Sequence, residues 1–109
     1  MPEGDTIHRV ANRLRPALVG QPLLRLEAPR ARGLLRRPAP GTEVTAVEAV
    51  GKHLLIRFAE GTTLRTHLRM TGSWHLYRTG ERWQKAAHLM RALVEVPGWV
   101  AVCFAAPVR

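Results

Sequence analysis

The first regular pattern along the chain is an apolar stripe in residues 5–18. Its members recur every three or four positions, which is the period of one face of an α-helix. Asp5 or Thr6 is suited to the N-cap, and Pro16 together with Gly20 marks where the helix is expected to end. The pattern predicts an amphipathic helix close to the N-terminus. The stripe consists of Ile7, Val10, Ala11, Leu14 and Leu18.

From residue 43 onward the apolar period changes from helical to two, which is typical of β-strands. Glycine-containing pairs separate the apolar runs, as expected for tight turns between antiparallel neighbours. We therefore predict one domain, residues 1–109, of the α+β class and mainly β. Its architecture is an antiparallel β-sandwich, or flattened barrel, with the helix covering an edge or an end. Strands are predicted near 43–50, 53–59, 62–69, 88–96 and 99–106, with a further short one at 22–28.

Composition narrows the class of protein. The chain has 109 residues, 46% of them apolar, which is enough for a single modest core. Its formal net charge of +9 favours a polyanion as partner, and nucleic acid over a membrane. The apolar run 99–106 is too short to span a bilayer. The single cysteine, Cys103, excludes an internal disulfide, is expected to pack as a small apolar residue, and gives no indication of a metal site.

Arginine is concentrated in the connector 28–41, which is also rich in proline and glycine. Two interpretations of this segment stay open. Its cations could follow the phosphates of a nucleic acid, or the segment could be a solvated loop. The arginines are Arg30, Arg32, Arg36 and Arg37, and Arg9 and Arg13 add a basic outward face to the helix.

The start of the chain, Met1-Pro2-Glu3, contains groups that could attack a sugar carbon as a nucleophile and donate a proton. Removal of Met1 would expose the secondary amine of Pro2, and an α-amino group titrates at about pH 7.7–8.0. Such an amine attacks a sugar aldehyde carbon and forms a cationic iminium, which draws electrons from the neighbouring bonds. Glu3 is adjacent in sequence and could protonate a leaving sugar oxygen. The commoner role of a proline at position 2 is only to give a protease-resistant end, so this dipeptide alone does not decide the function.

Two predicted strands carry cations at informative places. Lys52 heads the strand 53–59 and by alternation shares its apolar face, so it either snorkels to solvent or reaches a phosphate or an abasic sugar. In the strand 62–69 the alternation places Arg65, His67 and Arg69 on one face. That cationic face could lie on DNA. His67 could equally be an ordinary, partly exposed strand histidine.

The turn Met70-Thr71-Gly72-Ser73 follows that strand. Met70 either packs under the hairpin or projects from its tip. Proteins that extract a base from a duplex insert apolar side chains into the base stack, and a projecting methionine is suited to this. The tryptophans are expected to be structural: Trp74, Trp83 and Trp99.

Three motifs together resemble the N-terminal domain of the formamidopyrimidine-DNA glycosylase and endonuclease VIII family. They are Met1-Pro2-Glu3-Gly4 before an amphipathic helix, Gly51-Lys52-His53-Leu54-Leu55, and Thr66-His67-Leu68-Arg69-Met70-Thr71-Gly72-Ser73-Trp74. The resemblance covers essentially the whole chain. The version Gly4-Asp5-Thr6 is more similar to the endonuclease VIII branch.

The resemblance implies base-excision repair of damaged double-stranded DNA, with oxidised bases, pyrimidines foremost, as substrates. Pro2 would form the Schiff base with C1′, Glu3 would be the general acid, and β,δ-elimination would cut the strand. Lys52 and His67 would contact phosphates, and Met70 would fill the gap left by the flipped base. Arg65, Arg69, Arg36 and Arg37 complete the expected DNA-binding set. The resemblance implies no cofactor, no metal and no membrane, and a cytoplasmic enzyme at the bacterial nucleoid.

The chain also departs from the family pattern. Many members carry a second glutamate where this chain has Thr6, and the family continues into a helix-two-turn-helix domain and usually a zinc finger. These domains are absent here, so a missing C-terminal domain or a partner is expected to supply the other half of the DNA cleft. The alternative is a noncatalytic or truncated DNA-binding module. A small RNA-binding β protein is a third reading, but it gives Pro2, Glu3 and Met70 no role.

Overall fold

The N-terminal helix α1 spans Glu3–Leu18 in the computed structural model of the chain. The structure describes residues 3–27, 38–51, 53–67, 73–86 and 89–104, with the side chains of α1 from Ile7 onward. The predicted apolar stripe faces the core, since Ile7, Ala11 and Leu14 are at most 2% exposed. Arg9 and Arg13 are exposed on the opposite face, as predicted.

The start of α1 differs from the predicted helix 5–18, whereas its end at Leu18 agrees with the prediction. The helix begins at Glu3, two residues early, so Asp5 and Thr6 lie within it and neither is the N-cap. Acidic residues in a first turn complement the helix dipole there, which favours the earlier start. Pro16 does not end the helix, because it lies in the last turn, where its missing N–H removes only one bond. Gly20, at φ +85°, ends the turn after the helix.

Seven strands follow α1 in the described residues and form two antiparallel sheets that do not close into a barrel. The strands are β1 Arg25–Glu27, β2 Val44–Val50, β3 His53–Phe58, β4 Thr63–His67, β5 Ser73–Arg78, β6 Met90–Val96 and β7 Trp99–Phe104. The first sheet has the order β2-β3-β4 and the second has the order β1-β6-β7-β5. The predicted sandwich with one helix is therefore confirmed.

The strand β5 is absent from the sequence prediction. It pairs antiparallel with β7 along its whole length, from Ser73 opposite Phe104 to Arg78 opposite Trp99. Its residues do alternate between polar and apolar from Ser73 to Leu76, although both faces of the strand are partly or fully covered.

One core fills the space between the two sheets and α1. From β3 the side chains of Leu54, Ile56 and Phe58 point into it, which confirms the apolar face predicted for this strand. Cys103 also packs there, and burial raises the pKa of its thiol to about 12. It therefore acts as a small apolar residue, as predicted.

The helix is fastened to the free edge of the first sheet. The Arg15 guanidinium donates to the Val47 carbonyl oxygen through Nε at 3.1 Å and through a terminal nitrogen at 2.9 Å. After the helix, Gly20 N–H donates to Val44 O at 2.8 Å, and Val44 N–H donates to Gln21 O at 3.0 Å. These bonds pair the exposed edge of β2, so α1 is held in a fixed position on the sheet.

A buried polar link joins the two sheets. Trp74 of β5 is 3% exposed, and its indole N–H donates to Thr66 Oγ1 of β4 at 3.1 Å. The Trp74 side chain thereby fixes the end of β4 relative to the second sheet, which supports the structural role predicted for it.

The outer face of the second sheet carries a smaller apolar cluster. Tyr77, Leu93, Val100, Val102 and Phe104 form it, and the segment between β5 and β6 covers it. Trp83 from that segment lies parallel to the Tyr77 ring, with the ring centroids 6.4 Å apart. The predicted structural role of Trp83 is consistent with this packing.

Candidate functional site

The outer face of the first sheet presents three rows of side chains, set by the strand register. Cross-strand partners lie on the same face of an antiparallel sheet. The row nearest the β2–β3 turn contains Val50, His53 and His67. The next row contains Glu48, Leu55 and Arg65, and the third contains Ala46, Arg57 and Thr63. Arg65 and His67 are exposed, as the strand alternation predicted.

The described positive side chains on this face outnumber the negative ones. Arg57 donates from Nε to Glu48 Oε1 in an ion pair on the surface of the sheet. Arg65 forms no ion pair with any described residue, so its charge is available to an anion outside the sheet. The face is therefore cationic and open.

Two histidine rings lie together at one end of this face. His53 and His67 are directly paired across β3 and β4, and their ring centroids are 4.8 Å apart at an interplanar angle of 46°. The Nδ1 atom of His53 is buried and has no hydrogen-bond partner within the described part of the chain. A buried polar atom without a partner is uncommon in folded proteins, so this ring is the exception among the polar side chains of the described residues.

The paired histidines bring two of the sequence motifs together. His53 directly follows Lys52 along the chain, and His67 directly precedes residues 68–72. The connection between β2 and β3 is short, and Gly51 adopts φ +58°, the left-handed conformation that a tight turn needs. Lys52, Arg69 and Met70 themselves lie outside the described residues. His53 belongs to the motif Gly51-Lys52-His53-Leu54-Leu55, but no role was predicted for it; its position beside Lys52 was the available signal.

The remaining predicted site residues are Pro2, Glu3, Arg36 and Arg37. Pro2, Arg36 and Arg37 lie outside the described residues. Glu3 is the first residue of α1, and its side chain is not among those described. No cluster of three or more His, Cys, Asp or Glu side chains suited to a metal ion occurs in the described ranges. None of the helices in those ranges is long and apolar enough to cross a bilayer.

A second polar cluster lies on the other sheet, around His75 of β5. Burial, followed by the positive charges of Lys85 and Arg13, lowers the pKa of His75 below its ordinary value of 6.5. The unfolded chain therefore binds a proton more readily than the folded chain does. In this case the free energy of unfolding decreases as the pH falls through 6.5 toward the lower folded-state pKa.

We therefore expect His75→Asn to make the protein less sensitive to mild acid. Urea midpoints measured between pH 7.5 and 5 should fall less for this variant than for the parent chain. The exposed His8 provides the control, since His8→Asn should leave the pH dependence as it is in the parent chain. Equal slopes for all three proteins would contradict the assignment.

The fold matches solved DNA glycosylases. Lactococcus lactis formamidopyrimidine-DNA glycosylase, in a crystal structure with DNA containing an abasic site, superposes with a TM-score of 0.72 at 20% identity. A structure of MutM with DNA containing carbocyclic 8-oxo-guanine gives a TM-score of 0.73, also at 20% identity. Each alignment covers 91% of this chain and 39% of the other. At this identity the likeness establishes the fold, that of the N-terminal domain of these enzymes.

The sequence comparisons establish the family. Residues 1–104 match the model of the formamidopyrimidine-DNA glycosylase N-terminal domain. This chain therefore belongs to that family. It is 40% identical over 109 residues to a probable endonuclease 8 of Streptomyces coelicolor, and 37% identical over 95 residues to a DNA-(apurinic or apyrimidinic site) lyase of Mycolicibacterium smegmatis. These alignments cover 99% and 87% of this chain, but only 39% and 35% of the relatives.

Proposed function

We propose that this chain is the catalytic-type domain of a DNA base-excision repair glycosylase that also cleaves at abasic sites. The observation that carries the proposal is the pairing of His53 with His67, which brings the sequences flanking Lys52 and Met70 to one end of a cationic sheet. The family and its endonuclease 8 relatives support the same assignment. Oxidised bases are the proposed substrates, with pyrimidines foremost.

The proposed reaction begins at Pro2. With Met1 removed, the Pro2 nitrogen bonds to C1′ of the damaged nucleotide, and the base leaves with the electron pair of the glycosidic bond and takes up the hydrogen that the nitrogen loses. Glu3 donates a proton to the sugar ring oxygen, which breaks the bond from C1′ to that oxygen and leaves an iminium at C1′. The iminium acidifies the C2′ hydrogen. β-Elimination transfers that proton to water and expels the phosphate at C3′, and δ-elimination transfers the C4′ proton to water and expels the phosphate at C5′. These steps need no metal or organic cofactor.

Placement of the nucleophile depends on α1. Pro2 directly precedes this helix, whose first residue is Glu3. The helix is fixed to the sheet edge by Arg15 on Val47 O and by the backbone bonds that follow it. Reactive groups held by rigid elements stay close to the productive geometry, and this pre-organisation lowers the activation barrier.

The cationic face supplies the grip on DNA. Lys52 and His67 are proposed to hold phosphates beside the lesion, and Met70 is proposed to fill the space of the flipped base. Arg65 and Arg69 extend the phosphate contacts along the sheet, and Arg36 and Arg37 reach the backbone from the connector. Binding through phosphate contacts weakens as the salt concentration rises.

The chain spans about 39% of the length of the first of its relatives. We propose that a further domain or a partner polypeptide supplies the rest of the DNA cleft, and that the enzyme works at the bacterial nucleoid. A domain without that other half could retain DNA binding alone, which is the noncatalytic alternative.

Borohydride trapping on abasic-site DNA tests the proposal. Two forms of the same chain are compared, one with a cleavable tag joined to the Pro2 nitrogen and one after the tag is removed. The amide nitrogen of the tagged form is not nucleophilic, so we expect a covalent adduct only after cleavage. Intact mass confirms the new N-terminus, and both forms should bind the DNA.

Lys52→Ala separates the possible nucleophiles. If Pro2 is the nucleophile, this variant still forms the adduct but binds DNA more weakly. An adduct in the tagged form that disappears with Lys52→Ala would move the nucleophile to the lysine. No adduct from either form, with salt-sensitive DNA binding retained, would identify a noncatalytic binding module.

A further inference from the structure

A polar groove of about 290 Å³ lies on the side of the molecule where α1 meets β5. That volume is near the lower limit of small-molecule sites, so the groove suits a small ligand. Its lining comes from three parts of the chain: α1, β5 and the segment between β5 and β6. The lining residues are Arg13, His75, Leu76, Tyr77, Glu81 and Gln84.

A chain of hydrogen bonds runs through His75 in this groove. The Gln84 backbone N–H donates to the Tyr77 hydroxyl oxygen at 3.0 Å. The Tyr77 oxygen lies 2.7 Å from His75 Nδ1, and His75 Nε2 lies 3.3 Å from Ser73 Oγ. The neutral tautomer that also gives the Tyr77 hydrogen an acceptor is the one that accepts it at Nδ1 and donates from Nε2 to Ser73.

Positive charge surrounds the ring. Arg13 lines the groove from α1, and Lys85 acts on His75 from the segment between β5 and β6. Neither cation forms an ion pair with a described residue. Glu81 is the one carboxylate of the lining, and its Oε1 already accepts the Arg78 backbone N–H at 2.9 Å.

We propose that this groove is a binding site for a phosphate-type oxyanion, held by Arg13 beside His75, with the positive charge of Lys85 nearby. A guanidinium offers paired N–H donors that match the oxygens of a phosphate or sulfate. The bound anion neutralises charges that lie unpaired around the groove. This site is separate from the cationic face of the first sheet, and it does not depend on the function proposed for that face.

Protonation of His75 is thermodynamically coupled to binding of the anion. A protonated ring donates from Nδ1 to the Tyr77 oxygen, so the phenol hydrogen is released from that contact. The new charge is close to Arg13 and Lys85, and a bound anion offsets the repulsion among the three. The charged and titratable groups around the ring are Arg13, Glu81 and the Tyr77 hydroxyl in the groove lining, and Lys85 outside the lining. Anion binding therefore favours the protonated ring, and by linkage acid tightens anion binding.

Sulfate is the probe of choice, because it keeps both negative charges across the relevant pH range. Histidine side-chain resonances are followed by NMR as sulfate replaces chloride at constant ionic strength. We expect a saturable shift of the His75 signals, a His75 titration midpoint displaced to higher pH, and no change at His8. Affinity should rise by about fivefold or more between pH 8 and 5, the low end of typical coupling.

Matched variants identify the groove. Arg9 and Arg13 are exposed arginines one turn apart on α1, but only Arg13 lines the groove. Arg13→Gln should abolish the saturable shift, whereas Arg9→Gln should retain it. Glu81→Gln should tighten sulfate binding, and His75→Asn should bind sulfate with the same affinity at both pH values. Equal binding by the two arginine variants, or His75 signals insensitive to sulfate, would overturn the proposal.

A competition experiment distinguishes the source of the anion. A short undamaged duplex is added to the protein at saturating sulfate while the His75 signals are monitored. Displacement of sulfate from the groove identifies a DNA backbone phosphate as the occupant. Sulfate that remains bound while the duplex binds elsewhere identifies a free anion.

Discussion

Leu54→Ala is expected to destabilise the protein by about 2–5 kcal/mol, the range for truncating a fully buried leucine. Leu54 is 0% exposed and lies in the core between the two sheets. The substitution removes apolar contacts and leaves a cavity that close-packed neighbours cannot fill. Leu54 is paired with Thr66, which accepts the Trp74 indole bond, so the loss falls where the sheets are joined.

Leu24→Ala is the matched control. It deletes the same atoms from a side chain that is 49% exposed, so the expected change is within about 0.5 kcal/mol. Urea denaturation followed by tryptophan fluorescence measures both variants against the parent chain. Similar losses for the two would show that the core between the sheets is packed differently from the structure.

The helix α1 shows which features can be predicted from the local pattern of apolar residues. Its apolar stripe was recognised from sequence because burial on one face imposes a period that only the side chains determine. The first turn was misjudged, since residues 3–6 carry no member of the stripe and several of them suit either a cap or a first turn. The end at Leu18 was predicted correctly, and Pro16 is accommodated before it because a proline in the last turn removes one bond without ending the helix.

The strand β5 was not predicted from the pattern of apolar and polar residues. Its inward side chains, such as Trp74, pack in the main core, and its outward residue Tyr77 is covered by Trp83 from a later segment. The alternation of polar and apolar residues in β5 covers only Ser73 to Leu76 and is broken at Tyr77, so it is short for a strand pattern. The segment that covers Tyr77 is known only once the chain is folded. The groove around His75 was missed for the same reason, because Arg13 and Gln84 meet there only through tertiary packing.

The candidate site was foreseen in part. The exposed face with Arg65 and His67 followed from strand alternation and is confirmed. The contact between the His53 and His67 rings depends on the register of β3 with β4, which a single sequence does not specify. The roles of Pro2, Glu3, Lys52, Arg69 and Met70 remain predictions from the motifs.

Glu3→Gln tests the proposed acid most directly. Glutamine has nearly the same shape as glutamic acid but cannot donate an acidic proton to the sugar oxygen. General acid–base groups typically contribute about 10²–10⁴-fold to a rate, so we expect a decrease of that size in the rate of adduct formation on abasic-site DNA. Single-turnover borohydride trapping measures this rate, and DNA affinity should be unchanged.

Asp5→Asn is the control for this variant. Asp5 is also an acidic residue in the first turn of α1, so its substitution removes the same favourable interaction with the helix dipole, about 0.3–1 kcal/mol. Adduct formation by this variant should stay within a few-fold of the parent rate. A decrease of equal size in both variants would show that the carboxylates act through the stability of the helix, and a small effect of Glu3→Gln alone would assign the proton transfer to another group.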